Sequence, residues 1–165
     1  MENRSTLLLK IQGILFLVFM LTSFYFNRFA TDDYYFIAKT SSETFSQAYV
    51  DLYLNWHGRW SSNFFLLLLI KANTFPGFLL AVNCLSFALV YFPVSALLNT
   101  MNKDYKLGLS KSTMRWYGLA FMTVFFFCNP NPSETWFWYT ASVVYFWSIG
   151  AFAWVCLLYT SPSPR

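Results

Sequence analysis

Charge is the scarcest property of this chain. Lys, Arg, Asp and Glu make up 11% of its 165 residues, under half of the roughly 25% usual in soluble domains, and that excludes a water-soluble globular fold. Histidine occurs once, at His57, which excludes a metal centre built from several imidazoles and leaves only carboxylate or water ligation for a divalent ion. Cys84, Cys128 and Cys156 have neither the spacing of a metal knuckle nor that of a disulfide framework. The formal net charge is +4, but no basic stripe alternates with exposed aromatics, so nucleic acid is excluded as a partner.

What the chain has in abundance is apolar and aromatic surface, 57% and 23% of its residues. Residues 7–26 form an apolar run long enough to cross a roughly 30 Å hydrocarbon layer as a helix. Arg4 and Lys10 give it the look of a signal peptide, but Arg28 spoils a small-x-small cleavage site, so the run reads as an uncleaved anchor. A second full-length span covers 76–98, with Pro76 in its first turn and Pro93 set to kink it. Spans at 116–128, lengthened by a snorkelling Arg115, and at 135–155 follow. Residues 61–71 are intensely apolar but too few for a straightforward crossing, and read as an interfacial segment or a short span.

Over 44–57 the apolar residues Phe45, Ala48, Tyr49, Leu52, Tyr53 and Trp56 recur at helical steps, with Ser46, Gln47, Asp51 and Asn55 mostly between them. This is an amphipathic helix, suited to the headgroup boundary or to packing on other helices. The expected fold is all-α: a polytopic transmembrane helical protein in which residues 1–155 are the N-terminal part of a multi-span domain. The last ten residues, 156–165, resemble the translated adapter of sequencing libraries and read as a non-native tail, because a Ser-Pro repeat cannot continue the helix before it.

Orientation follows from the cations. Lys103, Lys106, Lys111 and Arg115 against a lone Asp104 mark a cytoplasmic loop, and Arg4 and Lys10 mark a cytoplasmic N-terminus. An even number of crossings must separate them, so 7–26 and 76–98 cross while 61–71 does not. The first loop and the 129–134 turn are then outside, and the expected location is the cell's inner (cytoplasmic) membrane.

Those outer segments hold the residues able to do chemistry. Asp32 and Asp33 follow the first span, where partial desolvation raises a carboxylate toward the range useful for taking a proton from a hydroxyl. Adjacent residues cannot both face one group, so one is assigned as base and the other to positioning substrate or metal; the plain alternative is that both cap the next turn. Arg59 offers a planar fork for phosphate, and Gly58 permits close approach to an anion; Arg59 also suits a simple interfacial anchor between Trp56 and Trp60. His57 suits proton transfer or a phosphate hydrogen bond, or interfacial packing. Glu134, followed by Trp136-Phe-Trp138-Tyr139, suits a sugar with its hydroxyls on the carboxylate and its ring on an aromatic face, or a helix N-terminus with Ser133 as cap.

Asp32-Asp33-Tyr34, the Gly58-Arg59 step, Ser133-Glu134, Trp138-Tyr-Thr-Ala-Ser142 and Tyr145-Phe-Trp147 together resemble an uncharacterised bacterial family of polytopic membrane proteins that is itself similar to the GT-C glycosyltransferases. The resemblance covers nearly all of 1–155. It implies an acidic pair in the first extracytoplasmic loop, juxtamembrane helices after it, and a sugar taken from a polyprenyl-phosphate donor and passed to a cell-envelope glycan or lipid. Asp32 is then the base, Asp33 positions acceptor or metal, and Arg59 holds the donor phosphate. The chain departs from the family pattern at His57, where asparagine is favoured, and at Ala141, where glycine is usual. From the residues alone, a non-catalytic transporter or flippase-like protein and an assembly factor stay open beside the enzyme.

Overall fold

The computed structural model describes residues 4–56, 58–73 and 77–160. These are helices and turns with no strand among them. Among the described residues three helices are long and apolar enough to cross a membrane. The first is α1, Arg4–Phe26. Helix α5, Phe78–Asp104, has 27 residues and is about 40 Å long at 1.5 Å per residue. The third span, Tyr139–Tyr159, is composite: α7 (Tyr139–Ala141) passes through a π-helical turn, Ser142–Phe146, into α8 (Trp147–Thr160). Helix α8 thus runs into the segment read as a tail, and residues 161–165 lie outside the described part. Pro76 and His57 also lie outside it.

Helix α6, Lys111–Phe127, has 17 residues, the short limit for a crossing. It lies parallel to α1. Gly13 makes that closeness feasible, since a Cβ there would fall 2.8 Å from the Trp116 ring, and further along Phe16 and Phe19 meet Phe126 with ring centroids 6.0 and 5.5 Å apart. The turn from α5 to α6 is stitched by one side chain: Asn102 donates to the Leu109 carbonyl (2.9 Å) and accepts from the Leu109 N–H (3.2 Å). Ser110 then caps α6 by accepting from the Thr113 N–H. Arg4, Lys10, Lys103, Lys106, Lys111 and Arg115 gather at this end of the bundle, opposite Asp32, Asp33 and Glu134.

Between α1 and α5 the chain forms α2 (Asp32–Ser42), α3 (Phe45–Asp51) with a π-helical continuation, Leu52–Trp56, and α4 (Trp60–Lys71). Thr44 and Gln47 start α3 with a reciprocal capping box. The apolar face of this segment packs on protein: Ala48 and Leu52 are fully buried together with Leu66, Leu67 and Ile70 of α4. Ser61 and Ser62, at the start of α4, share a cavity wall with Leu89 in the middle of α5. Past its end, Asn73 shares one with Asn27, Arg28 and Gly77. Helix α4 therefore climbs from mid-bundle back to the end where α1 stops and α5 begins.

A clasp ties α2 to α3. The Lys39 ammonium donates to Glu43 (3.0 Å) and to Asp51, and Asn55 donates to the other Asp51 oxygen at 2.6 Å. The Lys39 hydrogen bond, aided by Asn55, holds the Asp51 carboxyl below the usual aspartate range. The same pairing, with Asp51 first and Glu43 second, pushes Lys39 well above the usual lysine range.

The core has two aromatic-rich clusters. At the centre of one, Trp136 is buried with Phe146, Phe126 and Phe125 rings at 4.5, 5.4 and 5.6 Å. Helix α5 continues unbroken through the buried Pro93. Proline has no N–H to offer the carbonyl four residues back, which is that of Leu89. Helix α8 closes over that freed carbonyl: a Cβ on Gly150 would lie 2.7 Å from the Leu89 oxygen. Close backbone approach through a small residue is how membrane helices pack without a hydrophobic driving force and how a proline-freed carbonyl is tolerated.

Gly150→Ala should lower stability by about 1–3 kcal/mol through enforced separation of α5 and α8, whereas Gly58→Ala, where the nearest atom is 4.0 Å away, should be neutral. Thermal melts of detergent-solubilised protein compare them, and equal midpoints would rule out the close approach. For the clasp, a depressed Asp51 contributes stability above the ordinary aspartate value that is lost as pH falls through its folded value. A raised Lys39 contributes below the ordinary lysine value, lost as pH rises through its folded value. The stability gap between wild type and Lys39→Met should thus be flat around neutrality and narrow as pH drops below about 3.9; a gap that widens in acid would contradict the pairing.

Candidate functional site

The α1–α2 junction and the segment before α7 face each other across a cavity of about 530 Å³, lined by Asn27, Arg28, Thr31, Asp32, Ser133, Glu134, Phe137 and Trp138 among others. That volume is within the range of small-ligand sites. Two long-range stitches hold its walls together. Asn27 donates to the Phe137 carbonyl at 2.7 Å. Asp33 is 0% exposed and its carboxylate accepts from three protein donors: the Ala30 N–H (3.0 Å), the Thr140 N–H (3.0 Å) and the Thr140 hydroxyl.

The acidic pair is thereby divided. Asp33 faces inward as a structural clasp, while Asp32, one residue earlier at the start of α2, is exposed and lines the cavity. Between the clasp's two anchor points Thr31 has φ 39° and ψ −109°, a backbone conformation that a β-branched residue rarely adopts. Strain of this kind persists only where surrounding bonds over-determine it, and it concentrates at functional sites.

Glu134 opens a π-helical turn, Ser133–Phe137, another feature frequent at functional sites. The turn puts Glu134 and Trp138 on the wall opposite Asp32. Arg28, which belongs to none of the motifs above, is the cavity's cation. Its Nη1 donates to the Tyr25 (3.2 Å) and Asn27 (2.7 Å) carbonyls, so the guanidinium sits against the C-terminal end of α1. Its signal was available in the sequence, as a cation at the end of a span four residues before Asp32.

Of the residues singled out from sequence, Asp32, Glu134 and Trp138 come together. Arg59 does not join them: it precedes α4, with its guanidinium 5.3 Å over the Tyr145 ring. His57 lies outside the described residues. Among the described residues no three His, Cys, Asp or Glu side chains converge as a metal site, and the Asp33 carboxylate is already engaged by protein donors. No step below passes through a metal ion.

Chemically the cavity offers two carboxylates for hydroxyl groups, a guanidinium for an anion, and the Phe137 and Trp138 rings as a wall for an apolar face. No protein-family model, curated protein or solved structure matches the chain.

Asp33→Ala leaves the part-buried Thr140 and Ala30 donors without their acceptor and should cost about 1–3 kcal/mol of stability. Asp32→Ala should leave the melting midpoint unchanged. Detergent melts of the two variants check the division, and equal losses would contradict it.

Proposed function

We propose that this chain carries the acceptor-activating end of an integral membrane glycosyltransferase, which moves a sugar from a polyprenyl-phosphate donor to a cell-envelope glycan or lipid with inversion at the anomeric carbon. The observation that carries the reading is that Asp32, Arg28, Glu134 and Trp138 line a single cavity. The chemistry is economical. The Asp32 carboxylate takes the proton of the acceptor hydroxyl as its oxygen bonds to the anomeric carbon, the bond from that carbon to the phosphate oxygen breaks, and its electron pair leaves with the polyprenyl phosphate. Arg28 neutralises the departing phosphate. Glu134 accepts from sugar hydroxyls, and Trp138 packs on the ring.

In this reading Arg28 takes the donor phosphate, the role that motif reading gave to Arg59. The gathering of Arg4, Lys10, Lys103, Lys106, Lys111 and Arg115 at one end of the bundle supports a cytoplasmic position for that end, and hence an extracytoplasmic one for the cavity in an inner membrane.

The test is transfer from radiolabelled undecaprenyl-phosphate hexoses to endogenous acceptor in membranes of cells expressing the gene. Asp32→Asn should reduce turnover roughly 100-fold or more at unchanged membrane abundance, and Arg28→Gln should mainly raise the KM for the donor. Transfer that survives Asp32→Asn would remove the catalytic assignment. Saturable donor binding with no glycosidic product from the wild type would indicate a transporter.

A further inference from the structure

A second cavity, of about 520 Å³, lies at the opposite, basic end of the bundle between α5 and α6. Two helical repeats of polar residues face each other across it. Ser95 and Asn99, four apart on α5, meet Lys111 and Arg115, four apart in the first two turns of α6. Ser95 is 8% exposed and its hydroxyl has no hydrogen-bond partner. It occupies the space that a side chain at Gly118 would take, so Gly118 is the residue that lets the hydroxyl sit there. Among the described residues the Asn99 amide, the Lys111 ammonium and the Arg115 guanidinium have no protein partner either. Three polar side chains, two of them cationic, thus face one groove with their hydrogen-bonding capacity unspent, while the Ser95 hydroxyl is closed off against Gly118.

The groove is built rather than incidental. The Tyr91 hydroxyl donates to the Arg115 carbonyl at 3.3 Å and pins the two helices at its floor, and the amino end of α6 adds the positive end of a helix dipole beside Lys111. Its chemistry fits a phosphate: a guanidinium, an ammonium and an amide are all able to donate, and no carboxylate lines the site.

Its surroundings select the source of that phosphate. Phe92, on the groove wall one turn deeper along α5 than Ala96, is 59% exposed, and Tyr117 and Phe121 of α6 are 44% and 49% exposed. Outward-facing apolar surface on helices that lie in a membrane is acyl-chain surface, while the cations are at the polar boundary. We propose that the α5–α6 groove is a binding site for the headgroup phosphate of an anionic phospholipid in the leaflet at the basic end. Lys111 and Arg115 hold the phosphate, Asn99 donates to one of its oxygens, and an acyl chain runs over Phe92. This site is separate from the cavity of Asp32 and does not depend on its function.

Native mass spectrometry of the detergent-purified chain tests it, with phosphatidylglycerol and phosphatidylcholine of identical acyl chains as probes. Phosphatidylglycerol should bind as a saturable first adduct about tenfold more tightly than phosphatidylcholine, a preference expected from charge-assisted contacts. Lys111→Gln with Arg115→Gln should abolish the preference, and Asn99→Ala should weaken it about threefold. Lys103→Gln with Lys106→Gln, which removes the same charge from the neighbouring turn, should leave it within about twofold. Equal affinity for the two lipids in the wild type would overturn the proposal without reference to any variant. An equal loss in both double variants would reduce it to general surface attraction, and displacement of the lipid by equimolar inorganic phosphate would assign the groove to a soluble anion.

Discussion

Asp33 makes the joint on which the cavity-bearing end of this molecule is assembled. A carboxylate removed from water is tolerable only when its oxygens are met by donors, and here the donors come from two places far apart in sequence, Ala30 and Thr140. Burying this one group therefore fixes the end of α1, the start of α2 and the start of α7 relative to one another. The Asn27 to Phe137 hydrogen bond repeats the connection on the other side of Arg28. Everything that faces the cavity is held by that frame: the strained Thr31, the exposed Asp32, and Glu134 on its π-helical turn. Adjacent residues of a helix point in different directions, so a buried clasp at Asp33 turns Asp32 outward as a geometric consequence.

The same logic recurs within the bundle, where apolar burial alone gives little direction to helices surrounded by lipid. Specific contacts supply it instead. Pro93 frees the Leu89 carbonyl and Gly150 lets α8 cover it; Asn102 closes the α5–α6 turn; the Tyr139 hydroxyl donates to the Leu66 carbonyl at 3.0 Å and joins α7 to α4. The result is a molecule with chemically distinct ends, cations gathered at one and a carboxylate-lined cavity at the other.

Much of this architecture was legible in the residues, because span length and hydropathy are one-dimensional properties. The runs at 7–26, 76–98 and 135–155 correspond to α1, α5 and the α7–α8 composite, and the pattern from Phe45 to Trp56 to α3 and its continuation. Less legible was α2: its sequence, Asp-Asp-Tyr-Tyr-Phe-Ile-Ala-Lys-Thr-Ser-Ser, has near-balanced polarity and buries only Asp33, Phe36 and Thr40, so no apolar stripe announces it. Helix α5 runs on through Pro93, and the carbonyl that the proline frees lies against the small residue Gly150. At the site, Asp32, Glu134 and Trp138 could be chosen by residue type, but which of two aspartates faces inward depends on a partner 107 residues away. Arg59 and Arg28 are equally good phosphate ligands on paper; the packing puts Arg28 on the cavity wall and Arg59 over the Tyr145 ring.

The central claim is that the cavity between the α1–α2 junction and residues 133–138 receives a lipid-linked phosphosugar. Photo-crosslinking tests it directly, using an undecaprenyl-phosphate hexose that carries a diazirine on the sugar, in membranes containing the protein, with peptide mapping of the adducts. The account predicts adducts confined to the peptides holding Arg28 to Asp32 and Glu134 to Trp138, competed away by unlabelled donor. Competable adducts mapping instead to the Arg59 and Tyr145 region, or none above those of a plain diazirine-bearing phospholipid, would contradict it.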